Sequence, residues 1–136
     1  MLYNIATERY LTAIPHEQEF HVWRGRLTQS DLNRIQDALA DMFDSAEIRT
    51  SSWLPGKDWT DTAWAPIYDT ACLGDEDLAA RCFGLFVWEA AIQHALVWAF
   101  GRYEKGGIPI EGLTYFRIEV FPPPPDDVLA LVRRRL

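Results

Sequence analysis

The chain has 136 residues, which is the length of one ordinary domain. Hydrophobic residues make up 49% and charged residues 24%, a balance that excludes a disordered chain and a collagen-like chain. With 20 acidic and 13 basic side chains the net charge is −7, and three of the basic residues form the terminal run Arg133–Arg135. The rest of the chain shows no basic face of the kind that binds nucleic-acid phosphates, so we expect no nucleic-acid partner.

The two cysteines, Cys72 and Cys82, have neither CxxC spacing nor a neighbouring histidine. A zinc site takes about four ligands, so the sequence predicts no metal and no cofactor. Two reduced, buried thiols are the expected state, with a disulfide or a reactive thiol as the alternative. Residues 1–6 lack the basic segment and apolar run of a secretory signal, so we expect a cytoplasmic protein.

The first half of the chain begins with residues 1–14, which have no clear pattern. Residues 19–27 alternate apolar with other side chains, which predicts a strand. Thr28 and Asp31 resemble a capping box at a helix start. Apolar residues then recur at helical spacing and predict a helix over 30–43; they are Leu32, Ile35, Leu39, Met42 and Phe43.

The middle of the chain is less regular. Residues 45–53 alternate and predict a second strand. Residues 53–74 form a long irregular stretch, in which Pro55-Gly56 fits a type II turn. Pro66 is predicted to be the first residue of a short helix that ends before Gly74.

A long helix is predicted over residues 76–99, apolar on nearly all sides, with the acidic residues 75–77 at its start. Within it, residues 82–100 are long enough to cross a membrane. Glu89 and His94 near the middle of that stretch favour a buried helix of a soluble protein instead, and we expect no membrane partner.

The last part of the chain contains a hairpin and a strand. Gly106-Gly107 is a two-residue hairpin signal, and residues 113–121 alternate as a strand does. We therefore predict a single α+β domain over 1–121. Residues 122–136 are predicted to be a Pro-rich spacer followed by a short C-terminal tail helix.

The predicted fold class is α+β, with a small, mostly antiparallel sheet packed against two main helices. A ferredoxin-like βαββαβ arrangement is a candidate if residues 62–70 form a strand, although Pro66 opposes this. One sheet covers only one side of the long helix. The other side needs the 30–43 helix, the C-terminal tail or a second subunit, so we predict a homodimer.

Three runs of sequence carry a resemblance: WLPGKDWTDTAWAPIY, FGLFVWEA and FGRYEKGGIPIEGLTYFRI. Over roughly residues 50–120 the chain resembles small uncharacterised bacterial proteins that are similar to integron gene-cassette products. The resemblance implies a bacterial cytosolic protein, and it implies no activity and no site residues.

Tryptophan is concentrated in residues 53–68, a segment without regular periodicity. Its aromatic side chains either close the end of the core or wall a cleft for a planar or cationic ligand. In the second case Asp58 or Asp61 fixes a polar group of the ligand. The predicted ligand-binding residues, with Glu89 of the long helix added, are Trp53, Asp58, Trp59, Asp61, Trp64, Tyr68 and Glu89.

Two residues of the long helix are candidates for acid/base chemistry. On a continuous helix Glu89 and His94 diverge, so a direct catalytic pair is not expected. We expect Glu89 to be in a buried ion pair with an arginine such as Arg117 or Arg102. His94 is expected to be a core histidine whose hydrogen bonds are satisfied.

Three functions follow from these features. The first is a non-catalytic binding module for a small molecule or a protein partner, which uses the Trp-rich segment. The second is a small enzyme with Glu89, Asp58 or His94 as acid/base. The third is a structural adaptor.

Overall fold

The computed structural model of the chain describes residues 1–45, 48–50, 59–109, 112–119 and 123–133. The elements of the first half are β1 (Leu2–Asn4), β2 (Arg9–Leu11), α1 (Glu17–Gly25), α2 (Gln29–Asp44) and β3 (Ile48–Thr50). A π-helical segment (Ile67–Ala71), α3 (Glu76–Gln93) and β4 (Trp98–Gly101) follow. The last elements are β5 (Glu104–Lys105), β6 (Ile108–Pro109), β7 (Thr114–Arg117) and α4 (Asp126–Leu129).

The main sheet has five strands in the order β2-β1-β4-β7-β3. Only the β1–β4 pair is parallel, with Leu2 opposite Trp98, and the other neighbours are antiparallel. The predicted α+β fold with a mostly antiparallel sheet is therefore confirmed. β5 and β6 form a separate hairpin around Gly106-Gly107, which confirms the predicted turn.

Two local capping interactions set the starts of the main helices. The Thr28 hydroxyl accepts from the Asp31 backbone N–H at 3.0 Å, and the Asp31 carboxylate accepts from the Thr28 N–H at 3.4 Å, which completes a capping box. At the start of α3, the Asp75 carboxylate accepts from the Leu78 N–H at 3.0 Å. Both helices begin within one residue of the predicted positions because these interactions are local.

The strand predicted over 19–27 is wrong, because residues 17–25 form the helix α1. Phe20 and Trp23 are spaced three residues apart and both are buried, whereas Val22 is 53% exposed. The Phe20 ring lies edge-on against Phe86 of α3, with ring centroids 4.8 Å apart. Burial against α3 at helical spacing outweighs the short alternation that indicated a strand.

The long helix predicted to extend to residue 99 ends at Gln93. His94 has extended backbone angles, and residues 98–101 form β4 in the middle of the sheet. Trp98 and Ala99 are fully buried there, between β1 and β7. A continuous apolar run fits a buried strand as well as a buried helix, so its pattern alone does not separate the two.

Residues 62–70 contain no strand, so the ferredoxin-like arrangement is wrong. Residues 65 and 66 are helical and lead into the π-helical segment, as Pro66 indicates. Leu73 and Gly74 have φ angles of 55° and 79°, and the Gly74 N–H donates to the Tyr68 carbonyl at 2.8 Å. This left-handed pair ends the segment before α3 begins.

β3 lies within the strand predicted over 45–53, and β7 lies within the strand predicted over 113–121. Residues 46–47, 51–53 and 120–121 of these predicted strands lie outside the described residues. The predicted Pro55-Gly56 turn lies outside them as well.

Elements of the same chain cover α3. It contacts α1, α2 and the π-helical segment. On the sheet side, the Trp88 ring of α3 lies against the Phe100 ring of β4, with ring centroids 4.8 Å apart. The homodimer is predicted because one sheet leaves the other side of the long helix without a packing partner. Other elements of the same chain pack on α3, so this argument for a dimer no longer holds. The dimer stays a prediction.

The C-terminal tail contacts the body of the same chain. Val128 of α4 is 3% exposed. Beyond α4, the Arg133 N–H donates to the carbonyl of Gln93, the last residue of α3, at 2.9 Å. The described tail residues therefore pack on the helices rather than extending away from them.

The run from residue 82 to residue 100 is divided between α3 and β4. Within the described ranges, no helix combines the length and the apolar character needed to cross a bilayer.

Candidate functional site

A cleft of about 830 Å³ lies beside the Trp-rich segment. Its walls come from residues 59–70, from the first turns of α2 and from the first residue of α3. Of the predicted ligand-binding residues, the structure brings Trp59, Asp61 and Tyr68 together in this cleft.

One wall of the cleft is aromatic. Trp59 and Tyr68 are nearly parallel, with ring centroids 6.1 Å apart and an interplanar angle of 14°. Trp59 is 6% exposed and also meets Phe83 of α3 edge-on, with centroids 6.2 Å apart. Its indole N–H is buried and has no acceptor among the described residues. Trp59 is therefore fixed in the core, and Tyr68, which is half-buried, is the more accessible ring.

The polar lining of the cleft is acidic. Asp61 has a left-handed backbone with φ of 58°. Four carboxylates and one guanidinium line the cleft, and they belong to Asp31, Asp61, Asp69, Glu76 and Arg34. Asp31 and Glu76 lie in the first turns of helices, where backbone N–H groups partly balance a negative charge. The excess negative charge is therefore concentrated at Asp61 and Asp69.

The other predicted residues lie elsewhere. Trp64 is 8% exposed and packs against Phe83 with centroids 5.1 Å apart, so it belongs to the core and not to the cleft lining. Trp53 and Asp58 lie outside the described residues. Glu89 lines a second cavity and is not part of this cleft.

Four charged lining residues are not among the predicted site residues: Asp31, Arg34, Asp69 and Glu76. The sequence predicts Asp31 and Glu76 only as acidic residues in the first turn of a helix, and not as residues of a binding site. The convergence of two helix starts on one cleft is a tertiary relationship that their local sequences do not encode.

Glu89 is 6% exposed, and its carboxylate has two partners. One oxygen accepts from the Arg24 guanidinium of α1, and the other accepts from the Gln36 side-chain amide of α2 at 3.2 Å. The predicted buried ion pair is confirmed, but Arg102 and Arg117 are not its partners. The partner, Arg24, lies in α1, where the alternating pattern of residues 19–27 predicts a strand.

His94 uses both ring nitrogens. Its Nδ1 accepts from the Leu96 backbone N–H at 3.1 Å and from the Trp98 indole N–H at 3.2 Å. This pattern assigns the ring proton to Nε2, which donates to the Asp44 carboxylate at 2.7 Å. His94 is thus the satisfied core histidine that the sequence predicts.

His94 also lines the second cavity together with Glu89. On a continuous helix the two side chains would diverge. Because α3 ends at Gln93, His94 leaves the helical path, and the chain places both residues beside the same cavity. The two side chains still form no direct pair, as the sequence predicts, because Glu89 is bound by Arg24 and Gln36 and His94 is bound by Asp44.

The two thiols lie next to each other. Cys72 and Cys82 are buried and free, and burial raises the pKa of both. One hydrogen bond joins the two thiols. Across the described ranges, no group of three or more histidine, cysteine, aspartate or glutamate residues is placed to hold a metal ion.

No protein-family model matches the chain, and no curated protein or solved structure matches it either. The resemblance to integron gene-cassette products therefore stays a prediction.

Proposed function

We propose that the chain is a non-catalytic binding module whose 59–76 cleft takes a small organic cation carrying an aromatic ring. The observation that carries this proposal is the parallel Trp59–Tyr68 pair in the wall of an acidic cleft. The volume of about 830 Å³ lies within the range of small-molecule sites.

The aromatic wall supports a ligand with a flat or cationic group. Aromatic faces attract cations through the ring quadrupole, and they stack on other rings. Trp59 is held by the core, so Tyr68 rests on a fixed support and loses little freedom when a ligand docks.

The charge supports a cation over an anion. Asp61 and Asp69 are exposed carboxylates on the cleft lining, and Arg34 is the only basic side chain described there. An ammonium group can donate hydrogen bonds to either carboxylate while the aromatic ring of the ligand lies on Tyr68. Exposed ion pairs are worth about 0.2 to 1 kcal/mol each, so we expect micromolar to millimolar affinity for simple probes.

The test compares three probes of similar shape: 2-phenylethylamine, 2-phenylethanol and phenylacetate. Binding is followed by quenching of tryptophan fluorescence and by the melting temperature, since a ligand that binds only the folded state raises its stability. We expect the amine to bind most tightly and phenylacetate least. Equal binding of all three probes, or none by any, contradicts the proposal.

Two variants and one matched control locate the binding. Asp69→Asn removes a carboxylate from the cleft, and Tyr68→Ala removes the accessible ring. Asp77→Asn makes the same charge change on an exposed residue that is not part of the lining. We expect the first two changes to weaken amine binding and the control to leave it unchanged.

The two other predicted functions remain open to simple tests. For the enzyme with Glu89, Asp58 or His94, the expected result is a Glu89→Gln variant that folds but loses an activity. For the adaptor, it is a co-purifying partner without ligand binding. The homodimer is tested by sedimentation of the purified chain at micromolar concentration.

A further inference from the structure

A second cavity, of about 570 Å³, lies between α2, α3 and the C-terminal tail. It is separate from the 59–76 cleft and shares no lining residue with it. Most of its lining is aliphatic or aromatic, including Leu39, Ala40, Phe86, Ala90, Leu96 and Val132. A cavity of this volume and character is suited to the apolar part of a small molecule.

Arg133 of the tail lies at the edge of this cavity. Its backbone N–H is bound to the Gln93 carbonyl, so the position of the residue is fixed by α3. Its guanidinium donates to the Gln36 side-chain oxygen at 3.2 Å and lies 3.6 Å from an Asp37 carboxylate oxygen. A guanidinium has five N–H donors in a planar fork, so donors remain for a ligand carboxylate.

The acidic residues of the cavity are already engaged. The Glu89 carboxylate is compensated by Arg24, and the Asp44 carboxylate accepts from His94. Among the described residues, Arg133 forms an ion pair with Asp37, whose side chain is 63% exposed, so this pair exchanges with a ligand carboxylate at little cost.

The arginine run is the most basic sequence in an acidic chain, because Arg134 and Arg135 follow Arg133. The cleft proposed above makes no use of it. In the structure Arg133, the first residue of this run, lies beside an apolar cavity, so a positive group is next to a hydrophobic surface. A ligand with an anionic head group and an apolar chain is complementary to this arrangement.

We propose that this cavity binds an aliphatic carboxylate of medium chain length. The hydrocarbon chain packs against the accessible apolar side chains of the lining, Ala90, Leu96 and Val132. The carboxylate lies at the rim, where it accepts hydrogen bonds from Arg133 in place of Asp37. This inference does not depend on the proposed function of the 59–76 cleft.

The test is calorimetric titration with octanoate, 1-octanol and octylamine, which share a chain and differ in the head group. We expect octanoate to bind about tenfold more tightly than octanol, the effect of one charge-assisted hydrogen-bond pair. Equal binding of octanoate and octanol, tightest binding of octylamine, or no octanoate binding overturns the proposal.

Two pairs of variants assign the binding to this cavity. Arg133→Gln is expected to lower octanoate affinity to that of octanol, whereas Arg102→Gln, the same change at another exposed arginine, leaves it unchanged. Ala90→Leu fills the cavity and is expected to abolish binding of both probes. Ala80→Leu adds the same volume on an exposed part of α3 and serves as its control.

If Ala90→Leu does not fold, Ala40→Leu fills the cavity from α2 and replaces it. Octanoate binding that survives both the Arg133 change and a folded cavity-filling change overturns the proposal. Loss of octanoate binding in the Arg102→Gln or Ala80→Leu control also overturns the proposal.

Discussion

The Glu89 carboxylate, four residues before the end of α3, forms an ion pair with the Arg24 guanidinium of α1, 65 residues earlier in the chain. The Glu89 side chain is 8% exposed and the Arg24 side chain 32%. Because Gln36 of α2 donates to the same carboxylate, one buried acid joins three helices. A buried charge is tolerated only when it is paired and hydrogen-bonded, so this junction constrains how the helices pack.

Removal of Arg24 is expected to destabilise the fold strongly. Arg24→Ala leaves Glu89 buried with the Gln36 amide. Removal of one partner of a buried ion pair costs about 3 to 5 kcal/mol, and we expect the free energy of unfolding to fall by about 3 kcal/mol because the Arg24 side chain is 32% exposed. In the Arg24→Ala/Glu89→Gln double variant the uncompensated charge is gone, so part of this loss is expected to be recovered. Urea unfolding measures both values.

The exposed pair of Arg81 and Glu19 is the matched control for that prediction, with side chains 52% and 49% exposed. Arg81→Ala is expected to cost less than about 1 kcal/mol, because exposed ion pairs contribute little. Equal losses at Arg24 and Arg81 would show that Glu89 does not depend on its partner.

His94 is expected to stabilise the fold mainly through Trp98. The Trp98 side chain is fully buried, and its indole N–H donates to His94 Nδ1. His94→Ala leaves that donor without this acceptor, so we expect a loss of about 1 to 3 kcal/mol. Asp44→Ala removes only the exposed end of the network and is expected to cost less. Thermal and urea unfolding of the two variants provide the comparison, and a larger loss at Asp44 would contradict it.

Alkaline pH is expected to destabilise the protein. Burial raises the pKa of the Cys72 and Cys82 thiols above the ordinary 9.0 and that of the Tyr115 hydroxyl above 10.0. The unfolded chain therefore loses these protons at a lower pH than the folded chain does. Their contribution to stability is constant below about pH 9 and is lost as the pH rises above that value.

Urea unfolding between pH 7 and pH 10.5, roughly the range in which free thiols and phenols titrate, tests this dependence. Tyr115→Phe removes the phenol, and its stability is expected to fall less steeply above about pH 10. An unchanged slope in this variant would assign the alkaline loss to other groups.

The capping box gives a local prediction for α2. Thr28→Ala removes the acceptor of the Asp31 N–H, and we expect a loss of about 1 kcal/mol. Ser30 is exposed and lies within the first turn of α2, so Ser30→Ala changes a similar side chain without removing the cap. Unfolding curves for the pair measure the cap, and equal effects would contradict the assignment.

Part of the candidate site is visible in the sequence. Trp59, Asp61 and Tyr68 lie within ten residues of one another, so their proximity in the cleft follows from the chain itself. Trp64 lies in the same segment but packs into the core against Phe83. Which indole packs on α3 and which ring stays accessible depends on how the helical turn before Gly74 is oriented.

The sequence by itself determined the features that depend on neighbouring residues. The Thr28 capping box, the Asp75 cap and the Gly106-Gly107 hairpin each involve groups within five residues of one another, so their energies do not require the rest of the fold.

Only the tertiary structure decided between helix and strand where both fit the pattern. Residues 98–101 form β4 because β1 and β7 supply hydrogen-bond partners on both sides. Residues 17–25 form α1 because the side chains of Phe20 and Trp23, at helical spacing, are both buried. The same long-range packing brings Arg24 to Glu89. These outcomes depend on partners distant in the chain, and a local apolar pattern carries no information about them.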